Sequence, residues 1–296
     1  MKLKSIGIIL FVVHLASCKP ANNPDKMKEI KRDDAVIDYQ LTGSGDTTLL
    51  FLHGSYINQS YWENQVNYFS SHYTVVTLDL PGHGKSGTAR KHWSTQGFAE
   101  DVITVIKELD LKNVILIGHS WGAGINLIVA TSYLKPVSGF IGIDYFKNAA
   151  TPLTPEYQQQ ADSIEEKLKT DFANTNEQYA RMALLSKQTS SAITNRVVND
   201  YRNAYQPMGI ATTPEIFKSF ETEKELLPQL QFKLYLINVD YIPTNEAPLK
   251  QYAGHGYEVL HMNGTCHFPM LENPDGLNKL LQETIHKISA DKALKK

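Results

Sequence analysis

The pentapeptide Gly118-His119-Ser120-Trp121-Gly122 separates a short apolar run, Val114 to Ile117, from a longer one, Ile125 to Ala130. That pattern predicts a buried strand, a sharp turn and a helix, with Ser120 at the turn. In the G-x-S-x-G spacing the glycines are a steric requirement, because side chains there would collide with the neighbouring strand and helix while the serine sits on a strained bend. The chemistry open to such a serine is acyl transfer. Its hydroxyl is a poor nucleophile at neutral pH, so it needs a base within hydrogen-bond reach and a carboxylate to orient that base.

Two phosphate-binding patterns overlap a little upstream. Gly82, Gly84 and Gly87 satisfy G-x-G-x-x-G after an apolar run, but Pro81 intervenes and "TARKHW" follows, with no apolar helix face to supply the N-terminus that holds pyrophosphate. "GKS" resembles the end of a phosphate loop, yet the glycine needed five residues before Gly84 is Asp79. Nucleotide binding is therefore not expected. The scattered His and Cys lack zinc-ligand spacing, so no metal and no organic cofactor is expected.

The elements that must position Ser120 follow from periodicity. "AVIDYQL" alternates, and "TLLFLHG", "YTVVTLDL", "VILIG", "VSGFIGID", "KLYLINVD" and "YEVLHMNG" are apolar runs closed by turn residues. Between them, "TQGFAEDVITVIKELD" places Phe98, Val102, Val105, Ile106 and Leu109 on one helical face. Alternation of this kind predicts an α/β fold, a mostly parallel sheet flanked by helices, with ligands at the carboxyl ends of the strands. From 147 to 231 no strand is predicted; "PEYQQQADSIEEKLKTDF" and "EQYARMALLSK" read as amphipathic helices, so an inserted helical cap is expected there, with the core at 35–146 and 232–290.

"FLHGSYINQSYW", "LDLPGHGKS", "GHSWGAG" and "GTCHFPMLENP" together resemble the α/β-hydrolase superfamily, and the resemblance spans about residues 35 to 290. It implies Ser120 as nucleophile and His267, in the loop after the last strand, as base. It leaves two candidates for the acid. Asp240 closes "LYLINVD", where most members place theirs, although Ile237 replaces the usual glycine; Asp144 closes "GFIGID", the position used by haloalkane dehalogenases and some lipases. The family pattern leans to Asp240 and keeps Asp144 open. By motif position the amides of Ser55 and Trp121 are the expected oxyanion donors. His53 and His119 are read as shaping turns, Trp62 as core, and His72, His92 and His286 as exposed.

A serine at the elbow argues against carboxylate-nucleophile relatives and favours hydrolysis of carboxylic esters. Lactones, amides, peracids and carbon–carbon bonds follow as alternatives, and a surface protein that only binds a ligand is the alternative of another class. The cap is expected to select the small-molecule substrate, with its tyrosines and Phe172, Met182, Leu184 and Leu185 as apolar candidates.

Lys2 and Lys4 precede "IGIILFVV", too short a run for a lasting span, so residues 1–17 read as a signal peptide. "LASC" resembles the lipobox of bacterial lipoproteins, which implies lipid on Cys18, a polar tether to residue 34, and a membrane-anchored chain facing the periplasm or exterior. The formal charge of −2 over 296 residues gives no footprint for nucleic acid. With Cys18 lipidated, Cys266 would have no disulfide partner, so the fold must stand on its core. Oligomeric state is left open.

Overall fold

The computed structural model describes residues 28–294. The expected signal peptide, Cys18 and most of the tether lie outside them. Eight strands form one sheet: β1 (Lys28–Arg32), β2 (Ala35–Thr42), β3 (Thr48–Leu52), β4 (Thr74–Leu78), β5 (Val114–His119), β6 (Val137–Ile143), β7 (Leu234–Val239) and β8 (Tyr257–Met262). Their spatial order is β1-β2-β4-β3-β5-β6-β7-β8. The first two are antiparallel to their neighbours and all later pairings are parallel. Strands β3, β5 and β7 are buried along their whole length, which is why they read as continuous apolar runs rather than alternating ones.

The strand β1 falls within the stretch read as tether. Only Ile30 of Lys-Glu-Ile-Lys-Arg is buried, and one apolar residue in five carries no periodic signal. The strand is held as an edge, by its ladder to β2 and by Arg32, which donates to Asp101 (2.7 Å), Glu100 (3.0 Å) and the carbonyl of Gly97 (2.8 Å).

The helices α1 (Glu63–Phe69), α2 (Thr95–Glu108) and α3 (Trp121–Ser132) follow β3, β4 and β5 in the chain. Ser94 caps α2 by accepting from Gly97 N–H at 3.1 Å, and Phe98, Val102, Val105 and Ile106 form its buried face. The helix α3 packs against α2 and β5 and is buried on nearly every side from Trp121 to Ala130, as an all-apolar helix must be.

Five helices occupy the interval between β6 and β7: α4 (Pro155–Thr170), α5 (Phe172–Tyr179), α6 (Ser191–Arg202), α7 (Gln206–Phe217) and α8 (Ser219–Leu226). Thr154 and Pro155 start α4, one as the cap and one at the first turn. The segment "EQYARMALLSK" does not continue as one α-helix. After α5 it widens into a π turn over Ala180–Leu184 and leaves in extended conformation at Leu185, and the Leu184 carbonyl accepts from His267 N–H at 3.3 Å. Two short helices, α9 (Glu246–Tyr252) and α10 (Pro269–Glu272), precede the long α11 (Pro274–Leu294), which packs on β6, β7 and β8.

Asp101 is fully buried and accepts at Oδ1 from Arg32 Nε and from Arg90 Nη2 (2.5 Å), whose guanidinium stacks over Trp93 and Phe98. Replacing Asp101 with Ala strands the nearly buried Arg90 charge. The expected loss is roughly 3 to 5 kcal/mol of unfolding free energy, measured by urea denaturation against the parent chain.

Candidate active site

Ser120 sits between β5 and α3 with φ 52° and ψ −131°, a left-handed backbone that a non-glycine residue adopts only when its surroundings enforce it. Close packing supplies the enforcement. A Cβ on Gly118 would come within 2.6 Å of Ala123 N and Gly122 O, and one on Gly122 within 2.5 Å of the His53 carbonyl. The serine N–H donates to the Ile143 carbonyl at 2.9 Å, which ties the bend to the end of β6.

The next residue along β6 is Asp144. Its backbone is also left-handed, at φ 49°, and its N–H donates to Ile237 on β7 at 3.0 Å. His267, carried in by the loop after β8, places Nδ1 at 2.6 Å from Asp144 Oδ2. Asp144 is almost wholly buried. Burial would push its carboxyl up, but the hydrogen bond and charge of His267 and the charge of Lys147 outweigh that and hold it below the usual carboxylate range. With the Nδ1 proton engaged, Nε2 is the ring nitrogen available as a base. Ser120 and His267 line one cavity. No hydrogen bond between their side chains is present among the described residues, and such bonds commonly tighten only around substrate.

The structure does not bring Asp240 to His267. Its N–H continues the ladder to Met262 (3.2 Å), its side chain is 38% exposed, and Oδ1 pairs with His261 Nδ1 at 2.9 Å. Asp240 turns to His261 on β8, while Asp144, beside the serine bend at the end of β6, faces the loop that carries His267. The turn after β7 delivers Tyr241 instead, whose hydroxyl donates to Asp144 Oδ2 at 3.2 Å and lies 3.4 Å from His267 Nδ1. Burial and the Asp144 charge push its phenol far up, so it stays a donor.

Lys147 was not singled out by the sequence. Its ammonium lies 2.6 Å from Asp144 Oδ1, donates to the Val239 carbonyl at 2.8 Å and sits 4.1 Å from the Tyr241 ring centre. The available signal was a lysine three residues past a strand-ending aspartate, in an otherwise apolar "GFIGIDYFK".

Neutral imidazoles brace the site. His53 donates from Nδ1 to the Gly54 carbonyl (2.8 Å) and accepts at Nε2 from Leu80 N–H (3.0 Å), while burial pushes it down to about 4. His119 donates from Nε2 to the His267 carbonyl at 2.7 Å, and burial followed by the nearby His267 pushes it down to about 3. His83, pushed down to about 3 by burial and then by His53, lies with its ring 4.8 Å from that of His53. The loop bearing Gly82 and Gly84 wraps the protein's own carboxylate: Asp79 accepts from Gln59 N–H (2.7 Å) and Lys85 N–H (2.8 Å), and a Cβ on Gly84 would overlap it.

Ser55 lines the cavity beside Ser120. Trp121 opens α3, so its N–H has no partner within the helix and sits at the positive end of the helix dipole. Trp62 is buried core against Phe51 (5.1 Å). The cavity holds about 240 Å³ and is roofed by residues of α4 to α7. Of the expected apolar cap residues, Leu184 lines it, Phe172 packs on Tyr56 behind it, and Met182 points to solvent at 85% exposure.

The sequence matches the alpha/beta hydrolase family over residues 49–280. The chain belongs to that family. A Haemophilus influenzae protein that bears an esterase/lipase name is 28% identical over 259 residues, covering 81% of this chain and 83% of that one. A Petunia hybrida protein named karrikin insensitive 2 receptor CA is 24% identical over 269 residues, 83% of this chain and 94% of the other. Among solved structures, a thermophilic esterase from Thermogutta terrifontis superposes with a TM-score of 0.75 at 17% identity, over 89% of this chain and 99% of that chain. This alpha/beta hydrolase thus shares its fold with enzymes and shares sequence with proteins named for hydrolysis and for reception.

Two outcomes test the electrostatics. Removing the Lys147 charge in Lys147→Met takes away one of the partners that hold Asp144 ionised, so the Asp144 carboxyl should titrate higher in the variant than in the parent by carbon-13 NMR. For His53, His83 and His119 the folded values lie below the unfolded value near 6.5. Their neutral forms therefore favour the folded state fully above that value, and stability falls as pH drops from about 6.5 toward 4. Unfolding near pH 5 should take up about three protons from these rings. The slope of unfolding free energy against pH checks this, and His53→Gln should reduce it by about one proton.

Proposed function

We propose that the chain is a serine hydrolase that cleaves a small or medium carboxylic ester through an acyl-serine intermediate, with Ser120 as nucleophile, His267 as base and Asp144 as the orienting acid. The observation that carries this reading is the buried bond from His267 Nδ1 to Asp144 Oδ2, made at the cavity that also contains Ser120. Ser120 Oγ attacks the carbonyl carbon as His267 Nε2 takes its proton; the imidazolium is stabilised by Asp144 and returns the proton to the leaving alcohol. Water, deprotonated by the same nitrogen, then releases the acid. The amides of Ser55 and Trp121 are the proposed oxyanion donors, each of a kind whose loss costs about 3 to 4 kcal/mol of barrier.

Catalytically silent ligand binding by the same cavity is the second reading, and the receptor-named Petunia relative is the observation that favours it. In a short-chain ester assay, Ser120→Ala should lower kcat by roughly 10⁴-fold or more, and fluorophosphonate should label the parent chain but not this variant. Turnover equal in the two proteins would remove the nucleophile; absence of turnover in both, with ligand still bound, would favour the binding protein.

The two aspartates separate cleanly. Asp144→Asn is expected to lose about 10⁴-fold in kcat, whereas Asp240→Asn, which breaks only a half-exposed pair with His261, should change it by less than about twofold. The reverse result would return the acid to Asp240.

Localisation is part of the proposal. Cys18, outside the described residues, is read as the lipidated N-terminus of an exported, membrane-anchored protein. Incorporation of labelled fatty acid that disappears in Cys18→Ser supports it, and unchanged soluble secretion of the parent chain would defeat it.

A further inference from the structure

Resting on the serine-ester reading, we infer that Tyr56 is a positioning residue: its tie to the helices roofing the cavity holds the Ser55 amide where the oxyanion forms. The roof then takes part in the chemical step as well as enclosing the substrate. The Ser55 backbone lies between two held points. Upstream, Gly54 is pressed against the serine bend, since a Cβ there would come within 2.9 Å of His119 Nδ1 and 3.1 Å of Ser120 Cβ. Downstream, Gln59 opens a short helical turn and its N–H donates to the buried Asp79 at 2.7 Å. The path between them passes through Tyr56 in the left-handed region, at φ 63°. A tyrosine keeps such a backbone only where its surroundings enforce it. Relaxing it to an ordinary region would displace Ser55, because Gly54 and Gln59 are held on either side.

The enforcement comes from the roof. The Tyr56 side chain is buried against α5, α6 and α7, edge-on to Tyr201 at 5.2 Å and to Phe172 at 6.0 Å between ring centres. On α7, Gly209 makes room for both rings: a Cβ there would come within 3.0 Å of Tyr56 Cε1 and 2.6 Å of Phe172 Cζ. Four residues on, Thr213 Oγ1 lies 2.8 Å from the Tyr56 hydroxyl. The single proton of Thr213 goes to the Gly209 carbonyl at 2.8 Å, so the tyrosine is the donor. Burial pushes its phenol up to about 12, and the donor proton is kept at neutral pH. The residue after Ser55 is thus pinned to α7 by a directional bond and by its ring. An oxyanion donor acts when negative charge develops on the carbonyl oxygen, so misplacing it lowers kcat and leaves KM nearly alone.

The test measures kcat and KM for a nitrophenyl ester of a short acid in the full chain. Each rate is divided by the amount of serine titrated to completion with fluorophosphonate, so misfolded protein does not enter. Tyr56→Phe, which keeps the ring and loses the donor, should lower kcat roughly three- to tenfold with KM changed less than about twofold. Thr213→Val should match it, and Thr213→Ser should stay within about twofold of the parent. Because the two hydroxyls make one bond, the Tyr56→Phe, Thr213→Val double variant should be no slower than either single one. Truncation tests the backbone itself. Tyr56→Gly removes more packing than Tyr56→Ala but adopts φ 63° without strain, so it should turn over at least about threefold faster than the alanine variant. Loss of packing alone gives the opposite order. Unchanged kcat in Tyr56→Phe, a loss that falls on KM instead, additive losses in the double variant, or an alanine variant as fast as the glycine one each overturn the inference. Hydrolysis by Ser120→Ala equal to the parent's per mole of protein would instead bring down the serine reading, whatever the Tyr56 variants do.

Discussion

The site depends on a packing constraint at the ends of two adjacent parallel strands. Both β5 and β6 finish in a residue forced into the left-handed region, Ser120 at φ 52° and Asp144 at φ 49°. Each hands its N–H to the next strand outward, to Ile143 and to Ile237. Those two bonds make the strand ends a staircase. The serine and the aspartate occupy successive steps, and the sheet's close-packed interior leaves neither bend room to relax. The rest of the site is supplied from elsewhere: the imidazole by the loop after β8, the roof by the helices between β6 and β7.

Around that staircase the chain assembles an unusual charge balance. Asp144 is satisfied by His267, Lys147 and Tyr241 together. A buried carboxylate needs such partners to remain ionised. Sharing it with a lysine tempers its pull on the imidazole, because part of its charge is already neutralised at Oδ1. The neighbouring histidines are handled in the opposite way, kept neutral by burial so that their rings act as hydrogen-bonding struts rather than as additional cations near His267. His119 is the most direct of these. It holds the carbonyl of the very residue whose ring meets Asp144, which makes the middle position of the Gly-His-Ser turn part of what fixes His267.

The helices over the sheet complete this arrangement by closing a small, uncharged chamber. The π turn at Ala180–Leu184 matters here, since the Leu184 carbonyl it exposes bonds His267 N–H and so joins the roof to the His267 loop. The cap and the loop bearing His267 are therefore joined by hydrogen bonds, with a second link from Thr189 to Glu272 at 2.7 Å. The same roof contributes the polar groups of Asn176, Tyr179, Tyr201 and Thr213 to a wall that is otherwise largely aliphatic and aromatic.

Much of this was legible in the chain itself. Runs such as "TLLFL" and "LYLINV" announce strands covered on both faces, and the glycines around Ser120 announce a bend with no room for a Cβ, because each is a local periodic or steric requirement written in consecutive residues; the place of His267 came instead from the resemblance of "GTCHFPMLENP" to the family. The strand β1 escaped because a single buried isoleucine among charges has no period, and the end of α5 because a π turn differs from an α turn only in where one carbonyl points. The choice between Asp144 and Asp240 could not be made locally at all: both close an apolar strand with the same residue type. Only the folded chain decides between them: Asp240 turns to His261 on β8, while packing across the 123 residues of sequence between Asp144 and His267 brings those two within 2.6 Å.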